Sequence, residues 1–539
     1  MGRRHGVRVS SVEDEIDLGY VHVPRFPRVY WTREPHLRRL YLLCMILMVA
    51  SATTGYDGML VNTSQQINRW NDFFGEDVDN DSKLGLLINM FNIGSICSFF
   101  ITPYIADRYG RKPAIIIGCL FMVLGGCLTA FCNGYAMYMA GRFSLGFGNS
   151  LAQMASPLLL TEICHPQHRG PVTAIYNCLW NAGALLVSCI GWATAGVASD
   201  WSWRSITFLQ IVPSAMQLLG IWWLPESPRY LVNTDQHEEA LLVLARWHGG
   251  GQVHDATVQF EFLEIKETIR LEKEAAGATS YVDFVRTRGN RWRLAILVSL
   301  GVISQYSGNA LFSSYMNAVY GGAGIAGQGQ KLALSTGKTL LDLVVTVWAA
   351  LMVDRWGRRP LFLVSTGGMA AAFAAWTAAG VVYEGSGEAD RAAGYAQLAF
   401  IWVFGVFYDI GFSGLLIAYA LEILPFSLRA KGMMIMNMTV QAVLALSNQT
   451  NKLAWDRLPQ HWNFTLFYAL WDLVELAFVW AFYPETKGPT LEEIGRIFDG
   501  DGSGRRIHLR RVEKEVHKAE QQKDVSVVAE GSRGIGTAV

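Results

Sequence analysis

Runs of about 20 apolar residues, the length that crosses a ~30 Å hydrocarbon core as a helix, alternate along this chain with short polar segments rich in arginine, glycine or acids. They occur at 39–61, 84–106, 113–132, 134–160, 171–196 and 205–224, and again at 294–320, 332–353, 360–382, 394–424, 432–452 and 463–483. The pattern predicts an all-α membrane protein of twelve transmembrane helices, six in a first half at 39–224 and six in a second at 294–483. Between the halves lies a polar segment, 225–293, and outside them an N-terminal segment, 1–38, and a tail, 484–539. Within the central segment, 238–246 and 260–265 read as short amphipathic helices around Gly249-Gly250-Gly251, with a plain linker as the alternative. The charged stretch after residue 500 is expected to be disordered.

The polar segments repeat. Asp107-Arg108-Tyr109-Gly110-Arg111-Lys112-Pro113 returns about 250 residues later as Asp354-Arg355-Trp356-Gly357-Arg358-Arg359-Pro360. Thr161-Glu162-Ile163 with Arg169 returns as Leu421-Glu422-Ile423 with Arg429, and Pro225-Glu226-Ser227 returns as Pro484-Glu485-Thr486. Three paired marks in one order indicate a duplicated unit, the sequence sign of a secondary transporter whose site lies where the halves meet. Arginine clusters also orient the chain, because basic loops stay in the cytoplasm. Arg33, Arg38, Arg39, Arg108, Arg111, Arg355, Arg358, Arg505 and Arg506 all belong on that side, which makes 225–293 a cytoplasmic helical linker. The loop after the first span is acidic instead, with Asp72, Glu76, Asp77, Asp79 and Asp81. It carries two glycosylation sequons, at Asn62 and Asn80, of which Asn80 stands farther from the membrane.

Composition agrees with a bilayer. Of 539 residues 51% are hydrophobic and 17% charged, against about 25% charged in an ordinary soluble domain. A formal net charge of zero offers no basic surface for nucleic acid. The eight cysteines follow neither metal nor disulfide spacing and read as small packing residues. No nucleophile–base pairing, metal cluster or phosphate loop points to an enzyme or a cofactor, and no cleavable signal peptide is visible.

Charges inside the spans are the residues most open to a mechanistic reading, since a central charge costs about 2.5–3.5 kcal/mol or more if unpaired. Asp57 in the first span and Arg142 in the fourth face two readings: an ion pair that fastens two helices, or a proton-binding carboxylate tuned by a nearby guanidinium. Asp342 has Lys338 one turn earlier, a spacing suited to a local pair. Asp472 and Glu475 are expected to face neighbouring helices, and Asp409 to lie toward the outer part of its span. The eleventh span offers amides at Asn437, Gln441, Asn448 and Asn451, able to bond another helix or a ligand.

Together with Gly55-Tyr56-Asp57-Gly58, Gly141-Arg142-Phe143 with Gly146-Phe147-Gly148, and Pro225-Glu226-Ser227-Pro228-Arg229, the three duplicated marks resemble the sugar porter family of the major facilitator superfamily over roughly 39–500. Leu244-Ala245-Arg246-Trp247-His248-Gly249 looks like the fungal branch that holds lactose permease and cellodextrin transporters. The resemblance implies alternating access between pseudo-symmetric halves, and proton coupling wherever a carboxylate stands at the position of Asp57. It places Asn177 where sugar porters carry a substrate-binding glutamine, while Ala184 departs from the second such position. Ser304-Gln305-Tyr306-Ser307-Gly308-Asn309 resembles the family's Gln-Gln-x-x-Gly-x-Asn signature, which implies substrate contacts at Gln305 and Asn309 and an outer aromatic gate at Tyr315. Tyr419 stands close to the usual tryptophan of the tenth span, and Asn437 completes the expected sugar contacts. The family's cytoplasmic gate, a charge network between halves, would draw on Asp107, Arg111, Glu162, Arg169, Glu226, Arg229, Asp354, Arg358, Glu422, Arg429 and Glu485. The expected function is proton-driven import of a hexose or disaccharide by a monomer in a fungal plasma membrane, without cofactor or metal. A carrier for quinate, a polyol or a secondary metabolite is the alternative, and a non-transporting nutrient sensor a third.

Overall fold

A computed structural model describes residues 29–498 apart from 80, 279, 310–315, 318–319, 322–324, 326, 387–389, 426–427, 459 and 488–496. The expectations for Asn80, Tyr315 and the tail beyond 498 therefore fall outside the described residues. Residues 31–498 form one compact unit, built of helices joined by short turns.

The first half comprises α1 (Pro35–Gln65), α2 (Asn68–Phe74), α3 (Asp81–Phe99), α4 (Thr102–Arg108), α5 (Arg111–Ala130), α6 (Tyr135–Ile163), α7 (Arg169–Thr194), α8 (Trp201–Leu209) and α9 (Ile211–Gly220). In the central segment follow α10 (Pro228–Asn233), α11 (His237–Trp247) and α12 (Ala256–Ala278), and then a single helical turn, Asp283–Arg286. The second half comprises α13 (Arg288–Tyr306), α14 (Gln328–Trp356), α15 (Arg358–Gly385), α16 (Arg391–Tyr408), α17 (Gly414–Ile423), α18 (Arg429–Arg457) and α19 (Trp462–Phe482). A π-helical turn, Asp409–Ser413, joins α16 to α17. Among the described residues eight helices are long and apolar enough to cross a membrane, or nine when the bent pair Lys83–Phe99 and Thr102–Arg108 counts as one span. The remaining expected runs fall on α6, α13 and α18, helices whose polar side chains lower their hydropathy; α13 ends at Tyr306, short of the end expected at 320. Much of that polarity is turned inward: Arg142, Asn149 and Ser150 on α6 and Ser447, Asn448 and Asn451 on α18 are buried.

Helices within the first half pack closely because small residues let backbones touch. A Cβ added at Gly183 of α7 would lie 1.8 Å from the Ala52 carbonyl oxygen, and one at Gly55 of α1 would lie 1.8 Å from that of Trp180. In a bilayer, where lipid tails are as apolar as leucine, such van der Waals fit is the main force holding helices together. The halves meet mainly where α7 packs against α14 and α3 against α18.

The central segment is helical, and α12 runs well past the short stretch expected there. Ile265 and Ile269 continue its apolar stripe onto α10 and α11, with Leu231, Val232, Ala240, Leu244 and Val258 completing a small separate core. This unit is pinned to the first half. His248 meets Glu261 at 2.7 Å and the Ile163 carbonyl at 3.1 Å. Arg169 reaches the same Glu261 at 3.2 Å, and the Tyr41 hydroxyl lies 2.6 Å from His168 Nδ1. His165, in the turn between α6 and α7, packs its ring 5.4 Å from that of His248. Burial, aided by His248, pushes His165 down from 6.5 to about 4.

Two outcomes follow from this packing. Gly183→Val should destabilise the protein by at least the ~1–3 kcal/mol of an overpacked core and lower its thermal midpoint, whereas Gly196→Ala, with nothing within 4 Å of the new Cβ, should leave it unchanged. His165 stays neutral in the folded protein over a range where the unfolded chain takes up a proton. The stability it contributes is thus present above pH 6.5 and lost as pH falls toward about 4, at up to ~1.4 kcal/mol per pH unit. Thermal unfolding from neutral to mildly acidic pH should show a shallower decline in His165→Asn than in the wild type.

Candidate functional site

The interior of the first half is built on faces of α1, α6 and α7, which pack against one another. Thr54 and Asp57 stand one turn apart on α1, while Arg142, Asn149 and Gln153 share a stripe of α6. Asp57 is 1% exposed and Arg142 4%. Among the described residues neither oxygen of Asp57, nor Nε or Nη1 of Arg142, has a hydrogen-bond partner. The guanidinium lies instead over the Phe91 ring, 4.9 Å from its centre, a cation–π contact that only partly offsets lost hydration. One turn away the polar groups are satisfied. The Thr54 hydroxyl lies 2.9 Å from Asn149 Oδ1 and 3.0 Å from Gln153 Oε1. Tyr176 of α7 donates to the same Gln153 oxygen at 2.9 Å. Sequence reasoning did not single out Thr54, Asn149, Gln153 and Tyr176, although the helical spacing of Arg142, Asn149 and Gln153 carried the signal.

Asn177 sits half-buried on α7. One turn on, Asn181 donates to Thr346 Oγ1 of α14 at 2.7 Å, and Thr346 lies 3.4 Å from Ser413 Oγ. In the second half Gln305 near the end of α13 and Asn309, beyond the turn that follows it, are half-buried, and Asn437 is half-buried on α18, which packs against α13. Gln305 makes one long contact, 3.4 Å to Ser304 Oγ. The carbonyl of Ser304 accepts from the Tyr408 hydroxyl at 2.8 Å. Tyr419 requires a correction as a substrate contact. It is fully buried, donates to the Pro484 carbonyl at 2.8 Å and stacks on Tyr483 with centroids 5.4 Å apart. Its place on α17 turns it toward α15 and the segment after α19, and its hydroxyl is committed. Asn62 is corrected too: it lies inside α1 at 0% exposure, its Oδ1 3.4 Å from Gln66 Nε2, so the folded protein has no room for a glycan there.

The duplicated marks fold into duplicated geometry at the basic end of the helices. Gly110 and Gly357, at φ 105° and 92°, precede α5 and α15. A Cβ at either would meet a carboxylate oxygen at 2.8 Å, that of Glu226 or that of Glu485. Glu226 accepts from the backbone N–H groups of Arg111 and Lys112 at 3.2 and 3.3 Å. Glu485 accepts from those of Arg358 and Arg359 at 3.0 and 3.1 Å. Each carboxylate thus caps a helix N-terminus, where unpaired donors and the helix dipole favour an anion. Burial pushes the Glu226 carboxyl above its ordinary range, against the pull of these N–H groups. Arg111 pairs with Glu162 at 3.1 Å and with Asp107 at 3.5 Å, and Arg358 pairs with Glu422 at 2.9 Å. Thr486 donates to Glu422 as well. All these pairs join residues of one half, and Arg169 pairs with Glu261 of the central unit. Arg229 and Arg429 are half-buried beside them at the starts of α10 and α18, and the side chain of Asp354 lies outside the described residues.

Bonds between the halves concentrate elsewhere. Asn89 of α3 donates to the Ala445 carbonyl of α18 at 3.1 Å. At the end opposite the basic loops, Ser335 donates to Gln66 at 3.0 Å, and Gln328 bridges the Ala195 carbonyl at 3.1 Å and the Asn68 N–H at 3.3 Å.

Comparison with known proteins fits this arrangement. A sequence profile described as "Sugar (and other) transporter" matches residues 43–498. The MFS-type transporter criB of Aspergillus cristatus is 27% identical over 85% of this chain and 94% of its own length. The high-affinity glucose transporter of Kluyveromyces lactis is 24% identical over 88% of each chain. Among solved structures, the proton:xylose symporter XylE of E. coli, bound to 6-bromo-6-deoxy-D-glucose, superposes with a TM-score of 0.68 at 20% identity, covering 85% of this chain and 99% of that one. These neighbours are membrane transporters rather than enzymes, and the last shares the major facilitator fold. The chain is a multi-pass membrane protein and belongs to the sugar transporter family of the major facilitator superfamily.

Proposed function

We propose that this transporter imports a small sugar together with a proton, by alternating access across the plasma membrane of a fungus. The observation that carries the reading is the Asp57 carboxyl. It stands inside a span, almost wholly buried and without a hydrogen-bond donor among the described residues, and the buried cation Arg142 stands on a helix packed against its own. An ionised carboxylate in such a place bears its full desolvation cost, and a neutral one bears little. A proton taken up from outside therefore allows Asp57 to cross between states, and its release restores the charge opposite Arg142. The resemblance to a proton:xylose symporter supports the same assignment. Asn177, Gln305, Asn309 and Asn437 supply uncharged donors and acceptors suited to sugar hydroxyls.

The basic loops orient the structure with that end in the cytoplasm. The bonds of Gln66 and Gln328 then close the outer side, while the named ion pairs of the inner end hold each half to itself. This supports an inward-facing arrangement. In the opposite state Asp107, Arg111, Glu162, Arg169, Glu226, Arg229, Asp354, Arg358, Glu422, Arg429 and Glu485 would form the closed cytoplasmic gate. Surface pairs contribute only ~0–1 kcal/mol each, so the gate acts as a network.

Two experiments test this. In proteoliposomes with an inside-negative potential of ~100 mV, one proton per sugar allows up to ~40-fold accumulation. The wild type should concentrate labelled D-glucose, or D-sorbitol if the carrier prefers polyols. Asp57→Asn should reach only the external concentration while still exchanging sugar by counterflow; concentrative uptake by that variant would rule out its proton role. Cross-linking Gln66→Cys to Ser335→Cys should stop uptake reversibly, and continued uptake in the linked protein would show that the outer end need not open.

A further inference from the structure

A second group of buried charges lies in the other half, away from Asp57. Lys338 Nζ of α14 lies 2.6 Å from Asp342 Oδ2 one turn along, with the two side chains 14% and 16% exposed. Gly405 of α16 makes room for both: a Cβ there would fall 3.0 Å from Lys338 Nζ and 3.1 Å from Asp342 Oδ1. One turn beyond Gly405, at the start of the π-helical turn, comes Asp409, 6% exposed. That turn packs against α14, and Asp409 stands on the same helix face as Gly405, which abuts Asp342. Two tyrosines are the other titratable groups here: Tyr320, whose hydroxyl lies 3.5 Å from Ser335 of α14, and Tyr408, the residue before Asp409.

The charges do not balance: one ammonium meets two carboxylates. Asp342 Oδ1 and Asp409 Oδ2 are buried and, among the described residues, have no hydrogen-bond donor. Two carboxylates buried around a single ammonium cannot both stay ionised out of water. We propose that Asp342 and Asp409 form a second proton-binding site, sharing one proton beside Lys338 where α14 meets the π-helical turn. The proton comes from water and forms an O–H bond on one carboxyl that donates to the other.

The site is wired to both halves. Ser413 leads through Thr346, at 3.4 Å, to Asn181 of the first half, at 2.7 Å. Tyr408, beside Asp409, holds the carbonyl of Ser304, the residue before Gln305, at 2.8 Å. Loss of the proton sets the two carboxylates in repulsion and loosens the turn that both links depend on. π-Helical turns recur at functional sites for such reasons.

The inference rests on the reading of this protein as a proton-driven carrier, yet the experiment separates the two. Infrared difference spectra of the purified full-length protein in nanodiscs, between neutral and alkaline pH, report the carbonyl stretch of protonated carboxylic acids. Asp409→Asn should remove one such acid, because Asp342 is then left to pair with Lys338 as an anion. Asp342→Asn should remove one as well, for the converse reason, and it serves if the first variant does not fold. Lys338→Met should add one. Unchanged bands in both aspartate variants, or no gain in Lys338→Met, would overturn the proposal. Asp57→Asn is scored in the same spectra. A change there without one at Asp342 and Asp409 leaves the first proton site standing alone, and the reverse result removes Asp57 but keeps this pair.

Discussion

Lipid offers no hydrogen bonds, so every polar group in a span must find a partner inside the protein or remain at a cost. Most here do. Hydroxyls on the spans fold back onto their own helices, as Ser64 does onto the Leu60 carbonyl and Thr366 onto that of Phe362. Amides such as Asn181 and Asn89 reach across to the other half. Against that background the orphaned groups are informative. Asp57, Arg142, Asp342, Asp409, Asp472 and Glu475 each carry buried atoms with no hydrogen-bond partner among the described residues. Nothing in packing alone requires a carboxylate at these places.

The same constraint explains how the ends are built. At the basic end, where water is near, the protein can use charge freely. It uses it twice over in one design, a carboxylate capping a helix N-terminus beside a buried arginine pair. These locks tie the helices of a half to one another, each with several short bonds. Contacts between halves are sparser, single hydrogen bonds along α7 with α14 and α3 with α18, and at the end far from the basic loops. A molecule fastened firmly within its halves and lightly between them can rock one half against the other without unfolding either.

Much of this was legible without coordinates. Apolar runs long enough to cross a bilayer placed most helices to within a few residues, because span length is set by membrane thickness and not by neighbours; the run at 294–320 is an exception, its helix ending at Tyr306. The repeated Asp-Arg-aromatic-Gly-Arg mark announced the duplicated unit, but that each copy forms a lock within its own half, with its glycine at positive φ, came from the structure. The Lys338–Asp342 pair followed from one-turn spacing. Less legible was anything decided by the far side of a helix. Tyr419 is an aromatic at a plausible depth, but its hydroxyl is spent on Pro484. Asn62 lies in a sequon, but the chain continues as helix through it and buries it.

What the sequence by itself determined was therefore local and periodic: which stretches are helices, which loops are basic, and that the unit is duplicated. Bilayer thickness and helical repeat are enough to decide those. Only the tertiary structure decided which buried charges lack partners and which side chains meet across the halves. It also packed the turn that carries a second acid, Asp409, onto the helix of a pair that spacing alone had left neutral. Those facts depend on helix rotation and on contacts between residues far apart in the chain, and no pattern within one helix encodes them.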